Sequence, residues 1–345
     1  MGACAAAAVT FATWLAASGC GRLHFQSLGD AAADRDGAAG GFAMDPAFGS
    51  NGVVVIDNGG IANLAYSIQG IAVQPDGRIV VVGLGGTAAN TDTLVVRLLD
   101  DGSLDPSFGS GGVVLIDVFA QEEGRSVAIQ PDGKLVIGSG GGDVSGPPDS
   151  DVIRLAPDGS LDPTFGTTSA GVSIVDFPGS IDSPNGAYLG ADGKIAFGGQ
   201  SYSATTSWDF ATSLLDSDGS LDPSFGTGGV VATDLFGSDE FGSPVAMLAD
   251  GRIYNAGSTY HGANNFDAVL LRLATDGTLD ASFASVGYVT VDFEDQVDRA
   301  TMAALDSSQR IDLVGHTNEG PSQDGFAMRF LDDGSRDAAF AAGDG

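Results

Sequence analysis

Leu104-Asp105-Pro106-Ser107-Phe108-Gly109 is a hexapeptide that returns at regular intervals along this chain of 345 residues. Copies of it, with small changes, begin at Met44, Leu161, Leu221, Leu279 and Arg336. The phenylalanines of successive copies lie 57 to 60 residues apart. A fixed period of this length indicates a repeated structural unit, whereas a catalytic motif normally occurs once. The hexapeptide therefore predicts an architecture and no particular reaction.

Each repeat contains four short apolar runs separated by turn-forming residues. In the second repeat they are Val113–Ile116, Ser126–Gln130, Leu135–Ile137 and Val152–Leu155, and the turn Pro131-Asp132-Gly133 separates the second run from the third. Runs this short suit strands, and Asp-Gly favours a tight hairpin. Four short antiparallel strands per repeat are typical of a propeller blade, so we predict an all-β, five-bladed β-propeller. The predicted propeller spans 41–345, with repeats at about 44–103, 104–160, 161–220, 221–278 and 279–345.

The motifs resemble those of the delta-60 repeat family. The resemblance covers roughly 41–345 and depends on three elements: the Leu-Asp-x-x-Phe-Gly opening, the Val-Ala-x-Gln-Pro-Asp-Gly-Lys hairpin and the Arg-Leu-x-x-Asp-Gly ending. It implies a bacterial propeller-like protein that is secreted or attached to the cell surface, and it implies no reaction. The third repeat departs from the pattern, with Leu214 where the others have arginine.

The charge of the chain restricts its partners. The formal net charge is -31, and a surface of this sign repels the phosphates of nucleic acids and of acidic membranes. Repetition without a break also favours a single ring with a shared core. We therefore expect a monomer that binds no nucleic acid and touches a membrane only through an N-terminal anchor.

The N-terminal segment has the pattern of an export signal. Residues 5–18 are apolar and are followed by Gly19-Cys20, which is similar to a bacterial lipobox. We expect 1–20 to be a signal segment with lipidation at Cys20, and 21–40 to be a flexible tether. The predicted location is the cell envelope or the extracellular space. Cleavage without lipidation, or a buried apolar N-terminal element, remains as an alternative.

Aspartates recur at two positions of every repeat. One set ends the first run, at Asp57, Asp117, Asp176, Asp234 and Asp292, and the other precedes the fourth run, at Asp92, Asp149, Asp209, Asp267 and Asp324. Aspartate caps turns, which favours a structural role for both sets. Calcium binding is the alternative, because it needs several oxygens that converge on one point. No Asp-x-Asp-x-Asp-Gly loop is present, and we expect no cofactor and no metal site.

Residues that differ between repeats are the candidates for binding. In an up-and-down meander, the first-to-second and third-to-fourth connections lie on one face of the ring, and these are the connections that vary. The predicted ligand-binding residues on that face are Tyr202, Trp208, Tyr260, His261, Asn264, Asn265, His316, Asn318 and Glu319. Aromatic rings beside amides and carboxylates suit a glycan or a protein loop. We therefore predict a non-catalytic binding scaffold for a glycan or protein ligand.

Glycoside hydrolysis is the alternative function. It requires two carboxyl groups about 5 to 9.5 Å apart, and the candidates on the same face are Glu122, Glu240 and Glu294. Other acidic or aromatic residues of the first-to-second connections are Tyr66, Glu123, Asp182, Asp239, Asp295 and Asp298. The sequence contains no Gly-x-Ser-x-Gly, His-Glu-x-x-His or Walker motif, so we expect no enzymatic activity.

Overall fold

The computed structural model describes residues 44–56, 64–87, 90–119, 121–142, 148–166, 171–179, 181–262, 265–293, 297–306, 308–319 and 322–340. Within these ranges the chain forms nineteen strands and no helix, and hence no helix that could cross a membrane. The strands are β1 (Leu64–Val73), β2 (Ile79–Thr87), β3 (Asn90–Leu98), β4 (Val113–Ile116), β5 (Glu122–Ile129), β6 (Leu135–Gly142), β7 (Pro148–Leu155), β8 (Val172–Val175), β9 (Ile181–Leu189), β10 (Ile195–Ser203), β11 (Ser207–Leu215), β12 (Val230–Thr233), β13 (Glu240–Met247), β14 (Ile253–Gly262), β15 (Asn265–Leu273), β16 (Tyr288–Val291), β17 (Val297–Leu305), β18 (Ile311–Glu319) and β19 (Ser322–Phe330).

The strands are ordered as antiparallel meanders. Sheets 1 to 4 are β1–β4, β5–β8, β9–β12 and β13–β16, and each pairs its strands in chain order. A single parallel bridge between Phe266 and Val297 connects sheet 4 to the three strands β17–β19, called sheet 5 below. All-β architecture with four-stranded antiparallel sheets is the arrangement of a β-propeller.

The sheets and the sequence repeats are out of phase by one strand. Val113–Ile116 is the first run of the second repeat, but as β4 it pairs with β3 of sheet 1. The described part of sheet 1 therefore runs from 64 to 116, and sheet 2 from 122 to 175. The physical reason is that the hexapeptide turns the chain back beside the strand that precedes it, so each repeat begins by completing the sheet before it.

The hydrophobic core lies between neighbouring sheets. Val82 of sheet 1 and Leu135 of sheet 2 belong to one buried cluster, and Val136 of sheet 2 and Phe197 of sheet 3 belong to the next. All four side chains are fully buried. Sheets 2, 3 and 4 thus bury their two faces against the two sheets beside them, as in a stack of blades.

The hexapeptide forms a compact unit in which an arginine, an aspartate and a phenylalanine are buried together. In sheet 1 the Arg97 guanidinium lies 4.4 Å from the centre of the Phe108 ring, and its Nε donates to Asp105 Oδ2 at 2.8 Å. Arg97 Nη1 also donates to the Pro157 carbonyl oxygen of sheet 2 at 2.5 Å. The unit therefore ties one sheet to the next. In sheet 3 Leu214 replaces the arginine, and Asp222 keeps the ion pair with the hairpin residue Lys194, which corresponds to the Arg78–Asp105 pair of sheet 1.

The motif aspartates predict an acid-sensitive fold. Burial raises the pKa of Asp105, but hydrogen bonds from Ser107 and the charge of Arg97 outweigh burial and lower the pKa to about 2; Asp222 and Asp280 also have pKa values lowered to about 2. A lowered folded-state pKa gives stability that is present above the unfolded value of 3.8 and is lost as the pH falls through the folded value. We expect the free energy of unfolding to fall between about pH 5 and pH 2, by up to about 2 kcal/mol for each aspartate.

Urea denaturation at a series of pH values measures this loss. The Asp105→Asn protein should be less stable at pH 6 and should lose less stability on acidification, whereas Asp100→Asn, at an exposed turn, should follow the parent. An equal loss in all three proteins would refute the role given to Asp105.

The two ends of the stack remain open in the described residues. No strand pair there joins sheet 5 to sheet 1, and β19 has no partner on its outer edge. On β1 the side chains of Ile71 and Val73 are 37% and 63% exposed, whereas Ala187 and Val245 on the innermost strands of sheets 3 and 4 are buried. Val53 and Val55 are also exposed. Apolar surface is therefore left uncovered beside sheet 1, and a strand edge is left open on sheet 5.

Candidate functional site

The variable connections share one face of the stack. The third strand of one sheet and the innermost strand of the next run in the same direction, as the parallel bridges Thr91–Gln121 and Phe266–Val297 show. The crossover from β4 to β5 therefore emerges on the same side as the β2–β3 connection, and the Asp-Gly hairpins lie on the opposite side. We call the side with the second-to-third-strand connections and the sheet-to-sheet crossovers the variable face. Cys20, the predicted lipidation site, lies outside the described residues.

A row of five aromatic rings, the aromatic ladder, crosses this face from sheet 3 to sheet 4. Its members are Tyr202, Trp208, Phe241, Phe266 and Tyr260. Successive ring centres are 5.5, 6.4, 6.1 and 4.9 Å apart, within the range of favourable aromatic contacts. All five side chains are partly exposed. The two ends of the ladder are cross-strand pairs, Tyr202 with Trp208 and Tyr260 with Phe266.

Polar and charged groups line the edges of the ladder. The Arg299 guanidinium of sheet 5 lies 4.0 Å from the centre of the Phe266 ring. The backbone N–H of Trp208 donates to Asp239 Oδ1 at 3.4 Å, and that of Tyr260 donates to the Asp239 carbonyl oxygen at 2.8 Å. His316 pairs with Arg299 across β17 and β18, and burial, together with the charge of Arg299, lowers the pKa of His316. The ladder therefore offers apolar ring faces bordered by donors and acceptors.

The other predicted binding residues lie at different places. His261 Nε2 is 3.2 Å from Asp267 Oδ2, and its ring packs on Phe236, with centres 5.2 Å apart. Asn265 begins β15, and its Oδ1 is buried without a hydrogen-bond partner among the described residues. The last two predicted residues of the face, Asn318 and Glu319, fall within β18, and Asn264 lies outside the described residues. The structure thus brings Tyr202, Trp208 and Tyr260 into one row and leaves His261 beside it.

Sequence reasoning missed three members of this site, namely Phe241, Phe266 and Arg299. Phe241 and Arg299 each follow an acidic residue, Glu240 and Asp298, at the start of an innermost strand. The position after that acid holds Glu123 in sheet 2, Phe241 in sheet 4 and Arg299 in sheet 5. This position varies from sheet to sheet, and that variation in the sequence could have marked Phe241 and Arg299 as candidates for binding.

The acidic residues of the face occupy one structurally repeated position. Glu122, Asp182, Glu240 and Asp298 each pair with the residue at the same place on the second strand of their own sheet, and Tyr66 holds this position in sheet 1. The expectation that they differ from repeat to repeat therefore needs correction. The change between Glu, Asp and Tyr, together with the bulges in these strands, conceals the repeat in the sequence.

Glu122 and Glu240, the predicted catalytic alternatives, are 1% and 0% exposed. Glu122 accepts hydrogen bonds from the backbone N–H groups of Val118 and Phe119 at 2.7 and 3.3 Å, which holds the crossover loop. Burial raises the pKa of Glu122 to about 8 and that of Glu240 to about 7, with a further contribution from neighbouring aspartates. Each lies in a different junction between sheets, and Glu294 lies outside the described residues.

Each of these two glutamates lies beside two aspartates of the preceding sheet. One oxygen from each of Asp92, Asp117 and Glu122 lies within 4.8 Å of the others. The same holds for the corresponding residues of the next-but-one junction, which are Asp209, Asp234 and Glu240. We call these two groups the junction triads. Burial and then the charge of the neighbouring aspartate raise the pKa of Asp92 and of Asp209.

Comparison with known proteins identifies the class of repeat. The model of a family described as "Domain of unknown function (DUF5122) beta-propeller" matches residues 74–108, 130–165, 190–225 and 248–283. Each match ends on a phenylalanine of the hexapeptide. The matches and the fold together define the chain as a β-propeller repeat protein. No curated protein matches the sequence.

Several solved structures resemble the fold at low sequence identity. A protein of unknown function from Dyadobacter fermentans is 11% identical, with a TM-score of 0.51 over 80% of this chain and 82% of that one. An α-L-arabinofuranosidase from Lactobacillus brevis is 11% identical, with a TM-score of 0.41 over 77% and 91%. A GH43_1 enzyme from Xanthomonas citri is 13% identical, with a TM-score of 0.40 over 80% and 91%. At such identities the likeness concerns the fold alone.

Proposed function

We propose that this chain is an exported, non-catalytic β-propeller of the delta-60 type that binds a glycan along the aromatic ladder of its variable face. The observation that supports this most directly is the row of Tyr202, Trp208, Phe241, Phe266 and Tyr260, with Arg299 and Asp239 at its edges. The apolar faces of sugar rings stack on aromatic rings, and their hydroxyl groups need donors and acceptors at the rim. A protein loop is the second candidate ligand, since the same chemistry suits it.

The hydrolase alternative has weaker support. A glycosidase needs two carboxyl groups on opposite sides of one scissile bond. Glu122 and Glu240 are both buried, belong to separate junctions and hold hydrogen bonds within the protein. Raised pKa values suit an acid catalyst, but here the main cause is burial away from a substrate. A polysaccharide product that disappears in the Glu240→Gln protein would favour the hydrolase.

The N-terminal segment supports export. The apolar stretch 5–18 followed by Gly19-Cys20 suits a lipoprotein signal, and 21–40 would then separate the propeller from the membrane. Mass spectrometry of the protein from a bacterial envelope fraction tests this, with a diacylglyceryl group on Cys20 as the expected result. A mature chain that retains residues 1–19 would contradict it.

We further propose that the sheets close into a five-bladed ring with Val53–Ile56 as the fourth strand of sheet 5. We call each copy of the hexapeptide a linker. The first five linkers each dock on the sheet that follows them: the Gly49 N–H donates to the Asp101 carbonyl oxygen at 2.7 Å, as the Gly109 N–H does to the Asp158 carbonyl oxygen at 2.8 Å. The strand after each later linker joins the preceding sheet, as β4 joins sheet 1. For the first linker, the only preceding sheet in a ring is sheet 5. The open edge of β19 and the exposed Val53 and Val55 fit this assignment.

Trp208 provides the test of glycan binding. We expect Trp208→Ala to weaken binding to a polysaccharide found on a glycan array by about 10- to 100-fold, the loss typical of a central aromatic contact. Trp208→Phe should retain much of the affinity, because it keeps a stacking face. Phe236→Ala is the matched control, since Phe236 is 40% exposed beside the ladder and outside it.

Isothermal titration calorimetry gives the affinities, and thermal melting reports whether each variant remains folded. If the Trp208→Ala protein binds the polysaccharide as tightly as the parent, the ladder is not the binding site. Equal losses in Trp208→Ala and Phe236→Ala would also argue against it.

A further inference from the structure

The junction triad between sheets 3 and 4 brings three carboxylates to one point. Asp209 lies on β11, Asp234 directly follows β12 and Glu240 begins β13, so three strand ends from two sheets contribute. One oxygen of each residue lies within 4.8 Å of the other two. Oxygens at this separation can share one cation.

Two of these carboxylates are buried and only half satisfied. Asp209 is 3% exposed and Glu240 is 0% exposed. Asp209 Oδ2 accepts from Thr206 Oγ1 at 2.6 Å, and Glu240 Oε1 accepts from Thr259 Oγ1 at 3.2 Å. The other oxygens, Asp209 Oδ1 and Glu240 Oε2, have no hydrogen-bond partner among the described residues. One oxygen of each group is thus held by a threonine hydroxyl, while the other is buried without a hydrogen-bond donor among the described residues.

Positive charge is missing from this triad. In the part of the chain that the structure describes, no lysine, arginine or histidine forms an ion pair with Asp209, Asp234 or Glu240. The buried aspartates of the hexapeptides, by contrast, all have a cationic partner, such as Arg97 for Asp105. Burying carboxylates without a counter-charge is costly. A bound divalent cation would remove this cost.

We propose that Asp209, Asp234 and Glu240 bind a calcium ion between sheets 3 and 4. An all-oxygen set of three carboxylates suits a hard cation, and calcium accepts irregular geometry with water or carbonyl oxygens in the remaining positions, whereas magnesium demands a regular octahedron. Hydrogen bonds from the hydroxyl groups of Thr206 and Thr259 fix the orientation of Asp209 and Glu240. The ion would join sheets 3 and 4 on the variable face, where Asp209 and Glu240 are next to the ladder residues Trp208 and Phe241 in the chain.

The equivalent triad Asp92, Asp117 and Glu122 is a weaker second site. Both oxygens of Glu122 already accept backbone hydrogen bonds, from Val118 and Phe119. Fewer free lone pairs remain for an ion there. The two triads therefore differ in how many glutamate oxygens already accept hydrogen bonds. We expect calcium to bind more tightly to the triad of Glu240 than to that of Glu122.

Calcium titration of chelator-treated protein tests the proposal. We expect the parent to bind calcium stoichiometrically and to melt about 5 °C higher in an excess of calcium over its dissociation constant. Asp209→Asn should abolish the tighter of the two calcium-binding events and most of the rise in melting temperature. Asp100→Asn removes the same charge from an exposed turn and should bind like the parent, which controls for weak attraction to an acidic surface.

Terbium luminescence provides a second readout, because Trp208 is adjacent to Asp209 in the chain and can sensitise a bound lanthanide. Glu240→Gln, which keeps the shape of the side chain, should lose this signal even if Asp209→Asn does not fold. Unsaturable calcium binding by the parent would overturn the proposal. Equal affinity in the parent and in a folded Asp209→Asn or Glu240→Gln protein would overturn it as well.

Discussion

Arg272→Ala is expected to lower the free energy of unfolding by about 3 to 5 kcal/mol, the usual cost of removing one partner from a buried ion pair. Arg272 is 0% exposed and donates to Asp280 Oδ2 at 2.7 Å and to Ser282 Oγ at 2.9 Å. It also donates to the Asp332 carbonyl oxygen of the next linker at 2.7 Å, and its guanidinium lies 4.9 Å from the centre of the Phe283 ring. The substitution therefore breaks a contact within sheet 4 and a contact between sheets.

Arg252→Ala is the matched control. Arg252 forms an ion pair with the same Asp280 at 3.4 Å, but its side chain is 23% exposed and its geometry is looser. Exposed pairs contribute about 1 kcal/mol or less, so this variant should lose much less stability. Urea denaturation measures both. Equal losses, or a loss below about 1 kcal/mol for Arg272→Ala, would contradict the role of the buried arginine.

Leu214 shows that the motif aspartate can keep a cationic partner when the buried arginine is absent. In sheet 3 Lys194 forms the ion pair with Asp222, and its hydrogen bond is the largest cause of the lowered pKa of that aspartate. The sequence alone presents Leu214 as a departure from the repeat. In the structure the hairpin cation pairs with the motif aspartate in the other sheets too, as Arg78 does with Asp105 and Lys134 with Asp162, so Asp222 loses one of two cationic partners and keeps the other.

The sequence predicts the strands and the linkers well because both depend on local chemistry. Asp132-Gly133 forms a hairpin with Gly133 at φ 84°, and Phe108 and Phe165 are buried at 0% and 1% exposure. The assignment of Val113–Ile116 to a sheet could not be predicted in the same way. A four-residue apolar run pairs equally well with either neighbour, and only the path of the linker places it on sheet 1.

The sequence predicts only part of the candidate site, because some of its residues come together only through the packing of different sheets. Tyr202 and Trp208 differ from their counterparts in other repeats, so the loss of repetition marks them, although the structure places them at the ends of β10 and β11 and not in the predicted connection. Phe241 lies in a strand, where an aromatic residue looks like core, and its ring contacts with Trp208 at 6.4 Å and Phe266 at 6.1 Å assign it to the ladder. Convergence of side chains from different sheets is a property of the packing, and the spacing in the sequence does not contain it.

The proposed ring predicts a disulfide between introduced cysteines. In sheets 1 and 4 the pairs Val95–Val114 and Leu270–Val289 join the third and fourth strands. The same register in sheet 5 would place Val54 opposite Ala327. With Cys4 and Cys20 changed to serine, Val54→Cys with Ala327→Cys should therefore form a bond within one chain. A bond that closes so long a loop stabilises the fold by about 5 kcal/mol when the native geometry accommodates it.

The decisive measurement is the mass of disulfide-linked peptides from this oxidised variant, isolated as a monomer. Closure of the ring predicts a peptide pair that joins positions 54 and 327 of the same chain, together with a higher melting temperature than that of the reduced protein. Val54→Cys with Val286→Cys, which a closed ring holds apart, should remain unlinked. Monomers whose thiols at 54 and 327 stay free, or links found only between chains, would contradict a closed propeller.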